Sequence, residues 1–235
     1  MRMRQPNWMI LGRSEIRADG YNSETPLFNG IFMTEAQENL FQHMTRLHEA
    51  NIDPKQREEE IWDRYGRTVG VLILDSSGFS RVSESHGIVH FLSRLMLMRN
   101  ITKPIFEANK CRELHFEADN IFAVFEHPDD AISTALEVHR QVHASGLMLT
   151  DDEPFKVCIG IGYGRMLYSE TLEGYFSEEI NFASKLGEDT AEGGETLLTD
   201  GAYNSASQTL VKDFSRSKVE VSGLQLNYYR HQFNT

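Results

Sequence analysis

The sequence is poor in cysteine: Cys111 and Cys158 are the only two in 235 residues. Two isolated thiols offer neither the spacing of a zinc site nor a disulfide framework, and they point to a reducing compartment. Positive charge is also scarce, with 23 Lys and Arg against 35 Asp and Glu and a formal net charge of −12. That balance argues against a broad nucleic-acid surface, which needs clustered cations. It does not argue against a nucleotide bound through a metal ion. Apolar runs such as "VGVLIL" and "FLSRLMLM" fall far short of a membrane span. The opening "MRMRQPNWMILG" carries basic residues, but its apolar run is too short for a signal peptide. There is no internal repeat and no low-complexity tract. What remains, 40% hydrophobic and 25% charged, is the composition of a soluble globular protein. The expectation is a cytoplasmic protein with no membrane or nucleic-acid partner.

Residues 1–66 differ in character from the rest. "RADGYNSETPLFNG" is rich in turn formers and reads as irregular. "TEAQENLFQHMTRLHEAN" reads as a helix, with a Thr34/Gln37 capping box, Phe41, Met44 and Leu47 at helical spacing, and Asn51 as a stop. "PKQREEEIWDRYG" reads as a second helix opened by Pro54. From Thr68 onward α and β alternate. "TVGVLILD" is a buried strand ending in an acid. A mainly helical stretch follows, with Val82, Val89, Leu92 and Met96 on or near one face. "RELHFEADNIFAVFE" gives two strands around a tight turn, and the next helix turns Ala131, Ala135, Val138 and Val142 inward. "FKVCIGIGYG" is a strand, "INFASKLGEDTA" starts a helix, and "ETLLTD" and "LQLNYYRHQF" are strands. This β-α-β-β-α-β order with additions predicts an α+β, ferredoxin-like split βαβ sandwich over 67–235, behind a short, partly helical extension.

Two stretches carry the chemistry. In "LILDSSGFS" a strand delivers Asp75 to its end, and the small residues Ser76, Ser77 and Gly78 lead to Phe79 at the start of a helix. Such a turn can present backbone N–H groups to phosphate oxygens, although a strand-end Asp before a Gly turn is more often structural. In "HFEADNIFAVF" Asp119 sits at a hairpin turn. In a split βαβ fold that hairpin lies beside the Asp75 strand, so the two acids share one end. They repel unless cations intervene, and hard oxygen ligands suit Mg²⁺ or Mn²⁺. The plainer reading makes Asp119 a turn residue alongside Asn120. Glu117 reads as a solvent-facing strand acid.

Taken together, "LILDSSGFS", "HFEADNIFAVF", "INFASKL" and "GGETLLTDGAY" resemble the ordered motifs of class III nucleotidyl cyclases, the adenylyl and guanylyl cyclase family, across roughly residues 68 to 230. The resemblance implies that Asp75 and Asp119, with the Ser76 carbonyl, hold two Mg²⁺ or Mn²⁺ ions. It implies that Ser77, Gly78 and Phe79 border the nucleoside triphosphate, that Asn181 orients the ribose, and that Lys185 stabilises charge on the transferred phosphate. It also implies a head-to-tail homodimer whose sites lie at the interface, the acids from one subunit and Asn181 and Lys185 from the other.

The pattern departs from the family at four positions. His115 stands where adenylyl cyclases carry a base-reading Lys and guanylyl cyclases a Glu. Gly174 stands where an Asp or Thr is usual, flanked by Glu173 and Tyr175. Lys185 replaces an arginine and loses its planar fork. Ser222 replaces a phosphate-contacting lysine, for which Arg230 or Lys218 would have to compensate. By family base rate the expected substrate is ATP. A compact stand-alone cyclase with altered base readers also resembles the bacterial pyrimidine cyclases of antiphage defence, which make cyclic CMP or cyclic UMP. The competing class is a cyclase-homology module that binds but does not catalyse.

Overall fold

The computed structural model describes residues 39–50, 52–170, 174–221 and 223–233. Helices α1 (Leu40–Glu49) and α2 (Pro54–Tyr65) lead into strand β1 (Gly66–Ser76). Then come α3 (Phe79–His86), α4 (Ile88–Ala108), β2 (Glu113–Glu117), β3 (Asn120–Phe125), α5 (Pro128–Ala144) and β4 (Val157–Ser169). After β5 (Gly174–Phe176) and α6 (Glu178–Ser184) the chain makes a π-helix, Lys185–Thr190. It ends with β6 (Glu195–Thr199), α7 (Asp200–Ser205), α8 (Gln208–Val211), β7 (Ser215–Val221) and β8 (Leu224–Gln232).

The strands form one sheet in the order β2-β3-β1-β4-β6-β8-β7, with β5 paired to the far end of β4. Its first four strands, β2-β3-β1-β4, are the expected ferredoxin-like split βαβ arrangement. β1 pairs antiparallel with both β3 and β4. Because successive strand residues face opposite ways, Leu72 and Leu74 of β1 enter one core while Val71 and Ile73 enter the other. Burial on both faces explains the unbroken apolar run. The first core lies under α3, α4 and α5 and holds Phe91, Phe106, Phe125 and Ile132. The second lies under α6, with Ile180 and Ala183 packed on Val124 and Met166.

The second core is thin for a reason legible in β4. A side chain at Gly160 would come within 2.1 Å of the Ala183 carbonyl, and one at Gly162 within 3.1 Å of the Ala183 methyl. Gly187 would likewise meet the Ile73 carbonyl at 2.8 Å. These glycines let α6 and the π-helix lie directly on β1 and β4.

Two helical faces differ from the sequence expectation. Thr34 and Gln37 lie outside the described residues, and the capping box of α1 is Asn39 with Gln42. Its inward residues are Leu40, His43 and Leu47, whereas Phe41 and Met44 are exposed. His43 can face inward because its Nε2 meets Glu60 at 2.8 Å and its ring sits edge-on to Tyr65. In α4, Val89, Leu92 and Met96 are exposed, and Phe91, Leu95 and Met98 are buried instead. Gly87, at φ 86°, breaks the helical stretch into α3 and α4 and so rotates the second stripe away from Val82. Proline at the first turn of α2, capped by Asp53, is as expected. α1 and α2 bury Leu40, Leu47 and Ile61 against Leu167 of β4. Among the described residues no helix is long and apolar enough to cross a membrane.

Candidate active site

Asp75 lies on the α6 side of the sheet by strand alternation from Val71 and Ile73. Its Oδ1 accepts the Ser76 N–H at 2.7 Å. The β2–β3 hairpin closes with Glu117 opposite Asn120, leaving Ala118 and Asp119 as a two-residue loop. Ala118 takes a left-handed φ of 49°, uncommon for a residue with a side chain. Register brings Ile121 opposite Leu74, so the tip rises beside the end of β1. Asp119 lies close enough to Asp75 for its charge to act on it. Burial first, and then the Asp119 charge, push the Asp75 carboxyl up to about 7.

A third carboxylate, missed in the sequence, faces the same place. Glu188 rides on the π-helix, whose wider turn is sealed by the Ala191 N–H bonding Leu186 O at 2.8 Å. Burial, and then Asp189, Asp119 and Glu117, push Glu188 up to about 7. Glu117 itself is exposed, as expected.

Among the described residues, no three acidic, His or Cys side chains form a closed metal cage. The Asp75–Asp119 pair nevertheless fits Mg²⁺ or Mn²⁺. It supplies hard oxygen donors that repel one another, and such ions take one or two carboxylates and complete their shell with substrate phosphates.

The turn after β1 is partly used up. Ser76 N–H is taken by Asp75, and Ser77 N–H bonds the Lys156 carbonyl at 3.1 Å. This leaves Gly78 and Phe79, where α3 begins, as the part of the turn open to a phosphate. Gly78 sits at φ 94°, closed to residues with side chains. Phe79 packs edge-on against Phe91, its ring centroid 4.8 Å away, and remains partly exposed.

Asn181 is exposed on α6, whose first turn is capped by Ser177 Oγ accepting from Ile180 N–H at 3.1 Å. Lys185 opens the π-helix, and its ammonium pairs with Asp189 rather than with Asp75 or Asp119. Arg230 is bound to buried Glu195. Ser222 lies outside the described residues, and Lys218 is exposed on β7.

His115 is exposed on β2, four residues before Asp119, with its Nε2 3.7 Å from Glu113 Oε2. The other Glu113 oxygen accepts the Tyr175 hydroxyl at 2.8 Å. Gly174 offers only backbone, pairing with Ser169. The neighbouring Tyr175 is linked through Glu113 to His115, so the strands that carry the two expected base-reading positions are tied together.

No protein-family model matches the chain, and no curated protein matches it in sequence. Solved structures do match. A crystal structure of an adenylate/guanylate cyclase/hydrolase from Silicibacter pomeroyi superposes with a TM-score of 0.63 at 20% identity, covering 72% of this chain and 98% of that one. The guanylyl cyclase Cya2 gives 0.60 at 16% identity, over 70% and 91% of the two chains. A non-canonical dimeric guanylyl cyclase domain of the RhoGC fusion protein from the aquatic fungus Blastocladiella emersonii gives 0.56 at 14%, over 70% and 96%. The protein thus has the fold of the class III nucleotidyl cyclase catalytic domain.

Proposed function

We propose that the protein is a nucleotidyl cyclase that converts a nucleoside triphosphate to a 3′,5′-cyclic nucleotide and pyrophosphate. The observation that carries this is the approach of Asp75 and Asp119 from neighbouring strands of a cyclase fold. Bound there, two Mg²⁺ or Mn²⁺ ions would supply an activated ribose 3′-hydroxyl and neutralise the triphosphate. Asp75 and Asp119, with the Ser76 carbonyl, hold the metal side. Ser77, Gly78 and Phe79 border the phosphates. Asn181 orients the ribose, and Lys185 leaves Asp189 to meet the charge on the transferred phosphoryl group. The active form is a homodimer with the acids from one subunit and Asn181 and Lys185 from the other. Residues 1–66 act as an extension to the 67–235 catalytic domain, and the protein works in the cytoplasm.

ATP is the single best substrate. A second reading, a pyrimidine cyclase making cyclic CMP or cyclic UMP in antiphage signalling, is favoured by the Tyr175–Glu113–His115 arrangement. That arrangement has neither the base-reading lysine nor the usual Asp or Thr. Purified protein incubated with ATP, GTP, CTP and UTP, each with Mn²⁺ or Mg²⁺, tests both. Cyclic AMP supports the first reading, and a cyclic pyrimidine replaces it with the second. No cyclic product from any of the four leaves a binding module.

A further inference from the structure

The hairpin tip that carries Asp119 is held from outside the sheet. Arg99, on α4, sends its Nη2 to donate to the carbonyl of Ala118. Its guanidinium carbon lies 5.0 Å from the centroid of the Phe116 ring, so one planar group spans the last turn of β2 and the loop. Its Nε is buried without a hydrogen-bond partner, which places the guanidinium against the hairpin rather than in solvent. Ala118 is the loop residue with the left-handed backbone, a conformation that persists only where its surroundings enforce it. The Asp119 charge acts directly on Arg99, so the cation that holds the Ala118 carbonyl also lies near the acid beside it.

We propose that Arg99 is a positioning residue for the metal-binding acids: by clasping the Ala118 carbonyl and stacking on Phe116, it fixes the hairpin tip and holds Asp119 toward Asp75. This rests on the reading of Asp75 and Asp119 as the metal-binding pair. A lysine keeps the charge but cannot bond the carbonyl and cover the ring with one planar group. Neither the run "FLSRLMLMRN" nor helical periodicity marks Arg99, because its partners lie on another element.

The test uses the full chain and Mn²⁺ alone, with free Mn²⁺ read by electron paramagnetic resonance. Amide exchange over residues 113–125 and the melting temperature are followed in parallel. Outer residues that orient metal ligands are worth about 10- to 100-fold in affinity, so Arg99→Met is expected to weaken Mn²⁺ binding about tenfold. Exchange at 117–120 should quicken while the core strands stay protected. Arg99→Lys is expected to fall between, and it carries the test if Arg99→Met does not fold. Wild-type Mn²⁺ affinity in Arg99→Lys and Arg99→Met overturns the proposal. So does a loss of affinity that tracks melting temperature with exchange at the tip unchanged. Wild-type protein that binds no Mn²⁺, or Asp119→Ala that binds it as well as wild type, overturns the acid-pair reading and the positioning role with it.

Discussion

Asp75 and Asp119 reach one another across two neighbouring strands of a single chain, with Glu188 brought toward them by the π-helix. Without metal, this is repulsion built into a folded protein. Asp75→Asn and Asp119→Asn are therefore expected to raise the melting temperature of metal-free protein at pH 8. The same changes should cut cyclase turnover at least about a hundredfold, since a bound metal is worth several kcal/mol in the transition state. Product chromatography beside a thermal melt checks both. A variant that loses activity together with stability would mark the acid as structural.

The pH dependence follows from the same groups. Asp75 rises from an ordinary 3.8 to about 7, and Glu188 from 4.5 to about 7. Each acid then holds its proton longer in the folded state than in the unfolded one. Stability from these groups is fully present below about pH 4 and is lost as the pH rises toward 7. Metal-free protein should melt progressively lower between pH 5 and pH 8, and Glu188→Gln or Asp75→Asn should flatten that slope. Mn²⁺ should restore more stability at pH 8 than at pH 5, because protons compete for the same oxygens. Scanning fluorimetry across pH, with and without Mn²⁺, reads both effects.

How much of this was legible in the sequence depended on distance along the chain. The β1 run ending in Asp75 and the hairpin turn at Asp119 are local patterns, and both appear where expected. The apolar stripes of α1 and α4 were harder. Periodicity shows that Phe41 and Met44, or Val89 and Met96, can share a face, but not which face the sheet covers. In α1 the covered face included His43, whose polarity is answered by Glu60, seventeen residues away. Glu188 was hidden because the π-helix changes the angle per residue, so spacing from Asn181 and Lys185 no longer gives direction. The Tyr175–Glu113 bond joins residues 62 apart, beyond any local pattern.

That bond gives a specificity prediction. Tyr175 fixes one Glu113 oxygen and leaves the other beside His115, an acceptor next to a donor. Tyr175→Phe and Glu113→Gln should change the ratio of products formed from the four nucleotides more than they change the total for the best one. Loss of one hydrogen bond to a charged group is worth about 1.5–3 kcal/mol, or about tenfold or more in preference. Competition assays with equimolar ATP, GTP, CTP and UTP measure it directly. An unchanged product ratio would return Glu113 and Tyr175 to a purely structural tie between β2 and β5.

Assembly is tested by complementation. Asp119 lies on the hairpin tip, and Asn181 and Lys185 lie on α6 and the π-helix. Lys185 is occupied by Asp189 within the same chain. If catalysis pairs the acids of one subunit with Asn181 and Lys185 of another, Asp119→Ala and Asn181→Ala homodimers each lack every complete site. Mixed after dissociation, half of the dimers would combine the two chains, and each of these would hold one intact site of two. The twofold geometry then predicts about a quarter of wild-type activity from an equimolar mixture of two inactive proteins. Recovery should also rise with total protein concentration as dimers form. Two inactive variants that stay inactive when mixed, while gel filtration shows the mixed dimer, would mean that Asp119 and Asn181 serve one site within one chain.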